Sequence, residues 1–569
     1  MSKKNKYKKL DELKLINEAP EWLEEKGYQM LINGYLLENE TPKGMWSRVS
    51  KSVAKYLNRA DLEEKFFDIM WKGWLCPATP VLSNTGTDRG FNISCFSIHV
   101  PDNTIGILNK GTELGMLTKY GGGVGIYMGD VRPAGSPISK GGNSEGILPF
   151  AKIYMSVANG ISQGGVRRGA AAVYLPIEHG DFKSFLRMRR PEGDPDRQCL
   201  HLHHGVTITD EFMERIEQGD KKAQESMREL LKTRLETGEP YIFFSDTVNR
   251  DNPASYEKNG LSVKTSNICS EITLHTDEDH SFVCCLSSMN LSKWHEWKDT
   301  DAVYLSVYFL DGVLSEFIDK ASNVDGFQSA VRFAKKSRAL GLGVLGFHSL
   351  LQSELVSMDS FYAQILNRAI FKRMKEESVR ASQDLAKEFG EPEWCEGTGM
   401  RNTHLLAIAP TSSNSIISGN NSAGIEPISA NVYSKKTAKG NFIDYNPELK
   451  KLLESKGFDS PEIWKIIIED EGSVRKLDFL TDEEKNVFKT AYEIDQNVLI
   501  NLAADRQKYI CQSQSLNLFF AASDLDPNYF FEVHWNAWKK GIKTLYYVRS
   551  DSVLKADISS RGDCKACEA

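Results

Sequence analysis

Asn267-Ile-Cys269-Ser-Glu271, followed thirteen residues beyond Glu271 by Cys284, is the stretch on which the reading of this chain turns. It sets an amide, a thiol and a carboxylate at alternate positions. In extended backbone, side chains at i, i+2 and i+4 project to one side. One short piece of chain then aims a hydrogen-bonding amide, a sulfur reagent and a general base at one small substrate. The polar run His275-Thr-Asp-Glu-Asp-His280 reads as a turn, which returns Cys284 beside them on a neighbouring strand. Such a set suits radical and redox chemistry on a hydroxylated carbon.

The surrounding chain has 569 residues, enough for one large enzyme domain with smaller additions. A formal net charge of -7 argues against broad nucleic-acid binding. No apolar run approaches the ~18 residues of a membrane span. The basic start, Met1 to Lys9, has no apolar stretch behind it and is not a secretory signal. A cytoplasmic protein that does not bind membranes is expected. Ten cysteines in a chain of this length indicate a reducing compartment with a few working thiols, not a disulfide scaffold.

Three regions are expected. Residues 1–75 are helical and amphipathic, with Phe66, Phe67, Met70, Trp71 and Trp74 at helical spacing as core. Residues 76–548 alternate strand-like runs and helices, which suggests α/β architecture with parallel strands. Residues 207–238 within it read as helix, capped by Asp210. Residues 549–569 are polar, without periodicity, and read as a mobile tail.

That tail carries Cys564-Lys-Ala-Cys567, two of the four ligands a structural zinc needs; a dithiol arm that exchanges electrons is the preferred reading. Cys199-Leu-His201-Leu-His203-His204 has metal-like residues, but it runs on as Gly-Val-Thr-Ile208 and reads as an ordinary strand; no metal site is assigned. Gly341-Leu-Gly343-Val-Leu-Gly346 matches a dinucleotide fingerprint without its context. Residues 337–351 read instead as one continuous helical or packed segment with glycines for close packing. Arg187-Met-Arg189-Arg190 reads as a solvated face or an anion contact. Arg132 and Arg167 lie in glycine-rich loops that suit phosphate. Pro410-Thr411-Ser412-Ser413-Asn414-Ser415 offers hydroxyls and, if a helix starts there, backbone donors. Tyr546-Tyr547 reads as two strand tyrosines on opposite faces.

Together these pieces resemble the large, catalytic subunit of ribonucleotide reductase. The resemblance covers roughly residues 70 to 569. Its motifs are Pro77-Ala-Thr79-Pro80, Ile93-Ser94-Cys95, Gly135-Ser136-Pro137, Ser162-Gln-Gly-Gly-Val-Arg167, Asn267-Ile-Cys269-Ser-Glu271, Cys284, Pro410 to Ser415, Gly424-Ile-Glu426-Pro427, Tyr546-Tyr547 and the cysteine-ending tail. It implies a ten-stranded α/β barrel with Cys269 on a central finger loop. It also implies that Cys269 forms a transient thiyl radical and takes the ribose 3′-hydrogen. Glu271 acts as base on the 3′-hydroxyl, and Asn267 orients the sugar. Cys95 and Cys284 supply two electrons and become a disulfide, which Cys564 and Cys567 reduce before a thioredoxin or glutaredoxin resets them.

The same resemblance assigns Thr79, Ser94, Ser413 and Asn414 to substrate phosphates. Asp102, Arg132 and residues 162–168, with Arg167, match the site of a nucleoside triphosphate effector. Tyr546-Tyr547 marks class I, whose radical comes from a metal-containing small (beta) subunit, so no cofactor is expected to be covalently bound in this chain. A homodimer is a family expectation. No segment resembles the ATP-cone, so on/off control by ATP and dATP is expected to be missing. Asn414 departs from the family's usual hydroxyl, which loosens the choice between diphosphate and triphosphate substrate. Cys285, beside Cys284, is expected to face away. The alternatives are a class II, adenosylcobalamin-dependent reductase and a catalytically silent nucleotide-binding regulatory subunit; the combination of Cys95, Cys269, Glu271 and Cys284 weighs against silence.

Overall fold

The Thr41 hydroxyl accepts the Gly44 N–H and so starts the helix Pro42–Tyr56, which has proline at its first position. This helix buries Met45, Trp46, Val49 and Val53. It packs on Glu63–Trp71, which buries Phe66 and Met70. Phe66 then meets Phe309 of the long helix Ala302–Ala321 edge-on, with centroids 5.6 Å apart. The amphipathic pattern expected of the N-terminal region therefore faces both inward and onto the helices of the following domain. The computed structural model describes residues 7–139, 141–161, 169–192, 194–437, 440–521 and 525–550.

The central sheet contains β1 (Leu75–Pro77), β2 (Cys95–His99), β3 (Gly123–Tyr127), β4 (Ala170–Pro176), β5 (His203–Ile208), β6 (Tyr241–Phe244), β7 (Phe282–Asn290) and β8 (Leu340–Leu345). Strands β2 to β6 run parallel in chain order. Strand β7 lies antiparallel to β2 through its first half and to β1 through its second, and parallel to β8 on its other side. At the far end, Thr544–Leu545 pairs antiparallel with β6. The sheet is thus mixed, where the sequence suggested parallel strands.

Backbone hydrogen bonds carry the sheet onward from β8 and close it. The Leu342 N–H donates to Leu405 O, Ile408 N–H to Ser513 O, and Tyr546 N–H to Leu516 O. Isolated bridges join Leu342 to Leu406 and Ile408 to Gln514. Counting these segments with β2 to β8, ten strands close the α/β barrel. Each of these ten segments is hydrogen-bonded on both sides, while β1 pairs with β7 and lies outside the ring.

Two local readings are corrected. Residues 207–238 are two helices, Asp210–Glu217 and Lys221–Thr237, separated by Gly219 at φ +84°; their caps are Thr209 and Asp220, not Asp210. Residues 337–351 are not one continuous segment but strand β8, a turn at Gly346, and the helix Phe347–Ser353. The close packing read for the glycines does hold: a Cβ on Gly343 would lie 2.4 Å from Ala407 O, and one on Gly341 would lie 3.0 Å from Cys284 Sγ.

Residues 266–272 enter the barrel and cross β3, where Gly123 and Gly125 make room. A Cβ on Gly125 would lie 2.0 Å from Ser266 O, and one on Gly123 would lie 2.8 Å from Ile268 Cγ2. Gly125→Ala is therefore expected to destabilise the protein by about 1–3 kcal/mol in denaturant unfolding, as overpacked cores do. Gly34→Ala, which meets open space, is the control. Equal stability of the two variants would refute the close crossing.

Candidate active site

The segment Asn267–Ile272 is a tight turn, where the sequence suggested extended backbone. Ser270 sits at φ +68°, the Ser270 N–H donates to Asn267 O, and Asn267 N–H donates to Ile272 O. The Asn267 side chain completes the turn: its Oδ1 accepts the Ile272 N–H, and its Nδ2 donates to Glu271 Oε1 at 2.9 Å. From outside, Ser513 N–H donates to Glu271 O, the Thr544 hydroxyl to Ser270 O, and Tyr174 to Asn267 O. Ser515 links the backbone at Cys269 to the Glu271 carboxyl, with its hydroxyl 2.5 Å from Cys269 O and 3.0 Å from Glu271 Oε2.

This turn faces one pocket, lined by Cys95, Cys269, Glu271 and Cys284 together. Cys95 and Cys284 are direct partners in the β2–β7 ladder. Such partners have Cα atoms about 4.5–5.5 Å apart, within disulfide range. Both are free thiols. Burial, and then the neighbouring Cys95 sulfur, push the Cys284 thiol well above its ordinary pKa. Cys285, one residue on, is also buried; burial, and then Asp311 in the outer helix layer, raise its pKa, and it does not line the cavity. The turn expected at 275–280 is present, with Asp277 N–H donating to His280 O.

Burial raises the Glu271 carboxyl to about 7, while a backbone N–H, Asn267 and Ser515 pull it back by hydrogen-bonding its ionised form. The group therefore titrates near neutrality, as a general base should.

The phosphate-facing residues divide. Ser94, Thr411 and Asn414 line the cavity; Thr79, Ser412, Ser413 and Ser415 do not, although Ala78 and Pro80 do. A helix starts at the hydroxyl run, Ser412–Ile417, behind Thr411 at φ +57°. The Thr411 and Ser415 hydroxyls are spent on this turn, one accepting the Gly424 N–H and the other donating to Thr411 O. Asn414 donates to Pro77 O, and its buried Oδ1 has no hydrogen-bond partner among the described residues.

Tyr546 and Tyr547 do not point to opposite faces. They lie between two short strands, and their rings pack 4.3 Å apart. Tyr546 is buried in one apolar cluster with Ile268 and Cys269, and half-buried Tyr547 lies on that cluster's margin. The pair therefore runs from near the surface toward the central thiol. Arg549 covers the outer face of Tyr547 at 4.6 Å.

The histidine run is gathered around a buried carboxylate, Glu239. Strand β5 begins only at His203; Cys199 is buried before it and His201 is exposed, so the three share no strand face. His203 and His204 both bind Glu239, at 2.6 and 3.1 Å. Arg189, expected on a solvated face, is buried with its Nε 3.4 Å from Glu239. Burial pushes Glu239 up, but Arg189 and the histidines outweigh it and hold the carboxyl well below the usual range. Ser515, Gln512 (3.7 Å from Cys284 Sγ) and Tyr241 (4.8 Å from Tyr546) carry no motif and were missed in the sequence.

Asp102 and Arg132 meet away from this cavity in a 2.8 Å ion pair beside the helix Thr104–Lys119. Arg167, Cys564 and Cys567 lie outside the described residues. No helix among the described residues is long and apolar enough to cross a membrane.

The model of the ribonucleotide reductase barrel domain matches residues 93–222, 220–398 and 393–548, and that of its all-alpha domain matches residues 21–90. A putative ribonucleoside-diphosphate reductase large subunit of Frog virus 3 (isolate Goorha) is 40% identical over 90% of this chain and 93% of its own length. A ribonucleoside-diphosphate reductase large subunit of Invertebrate iridescent virus 3 is 36% identical over 95% and 98%. Among solved structures, the Actinobacillus ureae class Id ribonucleotide reductase alpha subunit superposes with a TM-score of 0.87 at 41% identity, covering 94% of this chain and 99% of that one. The chain belongs to the ribonucleotide reductase large-subunit family, a family of oxidoreductases.

Ser515→Ala removes a hydrogen bond that favours ionised Glu271, so the carboxyl should titrate at higher pH than the parent's value of about 7. A pH titration of the protonated-carboxyl infrared band, with Glu271→Gln to identify it, measures this. A downward shift would contradict the assigned geometry.

Proposed function

We propose that this chain is the catalytic subunit of a class I ribonucleoside-diphosphate reductase. The convergence of Cys95, Cys269, Cys284 and Glu271 on one cavity supports this most directly. When bound, a metal-containing small subunit supplies the oxidising equivalent. Tyr547 and Tyr546 pass it inward, and Cys269 receives it as a thiyl radical. Cys269 removes the ribose 3′-hydrogen while Glu271 takes the 3′-hydroxyl proton. The 2′-hydroxyl leaves as water, with a proton from the Cys95–Cys284 pair. Two electrons from the two thiols, with their second proton going to the 2′-carbon, complete the reduction as their sulfurs join. Glu271 returns its proton to the 3′-oxygen, and Cys269 gives the 3′-hydrogen back to the product radical and becomes a thiyl radical again. Asn267 acts through Glu271, which its amide holds. Cys564 and Cys567 reduce the disulfide by exchange, and a thioredoxin or glutaredoxin reduces them in turn.

Ser94 and Asn414 hold the substrate phosphates from within the cavity, with the backbone N–H groups of Thr411, Ser412 and Ser413 at the start of the helix Ser412–Ile417. A nucleoside triphosphate effector binds at Asp102 and Arg132, and the resemblance assigns Arg167 to the same effector. A homodimer fits the helices Thr104–Lys119 and Leu148–Gly160, which pack together and leave Ile105, Leu108 and Ile153 exposed beside that site. The likeness to the Actinobacillus ureae class Id alpha subunit and the tyrosine pair favour a small-subunit radical over adenosylcobalamin.

The test is conversion of CDP to dCDP with dithiothreitol and an effector, run with a metal-loaded small subunit of the same source and separately with adenosylcobalamin. Turnover is expected only with the subunit. Cys269→Ser, Tyr546→Phe and Tyr547→Phe should reduce it to background, and Glu271→Gln by about 10²–10⁴-fold. In the parent, kcat should rise with pH through about 7 as the Glu271 carboxylate forms. Turnover with cobalamin alone, or full activity of the tyrosine variants, would overturn the class I reading.

A further inference from the structure

The turn His275-Thr-Asp277-Glu-Asp-His280, between the Cys269 loop and β7, gathers three metal-ligating groups outside the active site. His275, Asp277 and His280 each offer one ligand atom, and these lie within 4.8 Å of one another. His275 Nε2 is 3.0 Å from Asp277 Oδ2, and His280 Nδ1 is 3.0 and 3.1 Å from the two Asp277 oxygens. The nitrogen–oxygen separations approach the ~3.3–3.4 Å edges of a tetrahedron built with metal–ligand bonds of about 2.0–2.1 Å.

Hydrogen bonding around the trio limits what belongs between its members. His275 Nδ1 is 2.7 Å from the Ser262 carbonyl and must donate its N–H there. A neutral His275 therefore has a lone pair on Nε2, aimed at a carboxylate oxygen that is itself an acceptor. The 3.0 Å contact is met either by a proton on His275 Nε2 or by a metal cation held between the two atoms. The backbone N–H groups of Asp279 and His280 donate to Asp277 Oδ1, and Oδ2 faces both imidazoles while Oδ1 also lies 3.0 Å from His280 Nδ1. A ring nitrogen donating to a carbonyl, and a carboxylate fixed through its other oxygen, are the usual supports of metal ligands. Trp394 walls both rings, at 5.8 and 5.2 Å, and gives the site an apolar side. The Asp277 side chain is 43% exposed, which leaves an entry path and room for water as a fourth ligand.

We propose that His275 Nε2, Asp277 Oδ2 and His280 Nδ1 bind a divalent cation of the zinc class, which clamps the turn joining the Cys269 loop to the strand that carries Cys284. Two imidazoles and one carboxylate suit Zn²⁺ better than Mg²⁺ or Ca²⁺, which prefer all-oxygen ligands. The proposal is independent of the reductase mechanism, because its readout is metal binding.

The test uses the full chain, stripped with chelator and dialysed, in a Cys564→Ser/Cys567→Ser background so that tail thiols do not bind the probe. Zn²⁺ titration should give about one equivalent per chain. His275→Ala and Asp277→Asn should each weaken binding by ~100-fold or more. Co²⁺ substituted for Zn²⁺ should show d–d absorption without a thiolate charge-transfer band, a readout that needs no variant to fold. Absence of binding, a thiolate band, or binding indifferent to both substitutions would overturn the proposal. So would a titration in which His275 takes up a proton while Zn²⁺ stays unbound, because the bridging cation would then be that proton.

Discussion

The contact between the Ser266 carbonyl and the bare Cα of Gly125 is the constraint on which the rest of the site depends. A barrel of about eight strands has an interior that side chains just fill; ten strands leave a wider one, and here a loop occupies it. Only a backbone without Cβ atoms at positions 123 and 125 lets that loop pass so close to β3. Once inside, its polar backbone must be satisfied without water. Ser513, Ser515 and Thr544 supply those hydrogen bonds from the strands that close the barrel. Barrel closure and loop position are therefore one problem, with one set of residues solving both.

The interior sets the chemistry by removing water. Glu271 and Cys284 both move toward their neutral forms for the same reason, burial. Glu271 is pulled partway back by three donors, and Cys284 only by Gln512. Glu239 shows the opposite balance: equally buried, it has Arg189 and two histidines around it and stays ionised. Three buried acids in one barrel thus differ in protonation because of what was placed beside them, as expected where desolvation is common to all and neighbours are not.

The functional residues were legible where they sit close together in sequence. Asn267, Cys269 and Glu271 do share one site, although a turn with Ser270 in the left-handed region brings them there and not an extended strand. Cys284 returns beside them as the 275–280 turn implied. The partnership of Cys284 with Cys95 was legible only through family resemblance, because 188 intervening residues carry no local pattern that sets a ladder register. Ser515 was not legible at all: a single serine 244 positions from Glu271 becomes meaningful only when the barrel closes. Gly123-Val-Gly-Ile-Tyr127 is a strand whose glycines are forced by what crosses it, a constraint the local sequence does not carry. Tyr546 and Tyr547 were misread because strand alternation fails in the gap between Leu545 and Val548.

Placing Cys95 opposite Cys284 on one rung makes the pair inherently lopsided. Cys95 is half-buried and Cys284 is sealed in, so an incoming thiolate meets the Cys95 sulfur first. Attack there expels Cys284, whose high proton affinity makes it a slow leaving group. Because the rung already spans disulfide distance, oxidation asks little movement of the backbone. On the proposed role of this pair, the spent enzyme would keep the contour of the fresh one, and its reductant would have to find it by persistent sampling instead of by a change of shape.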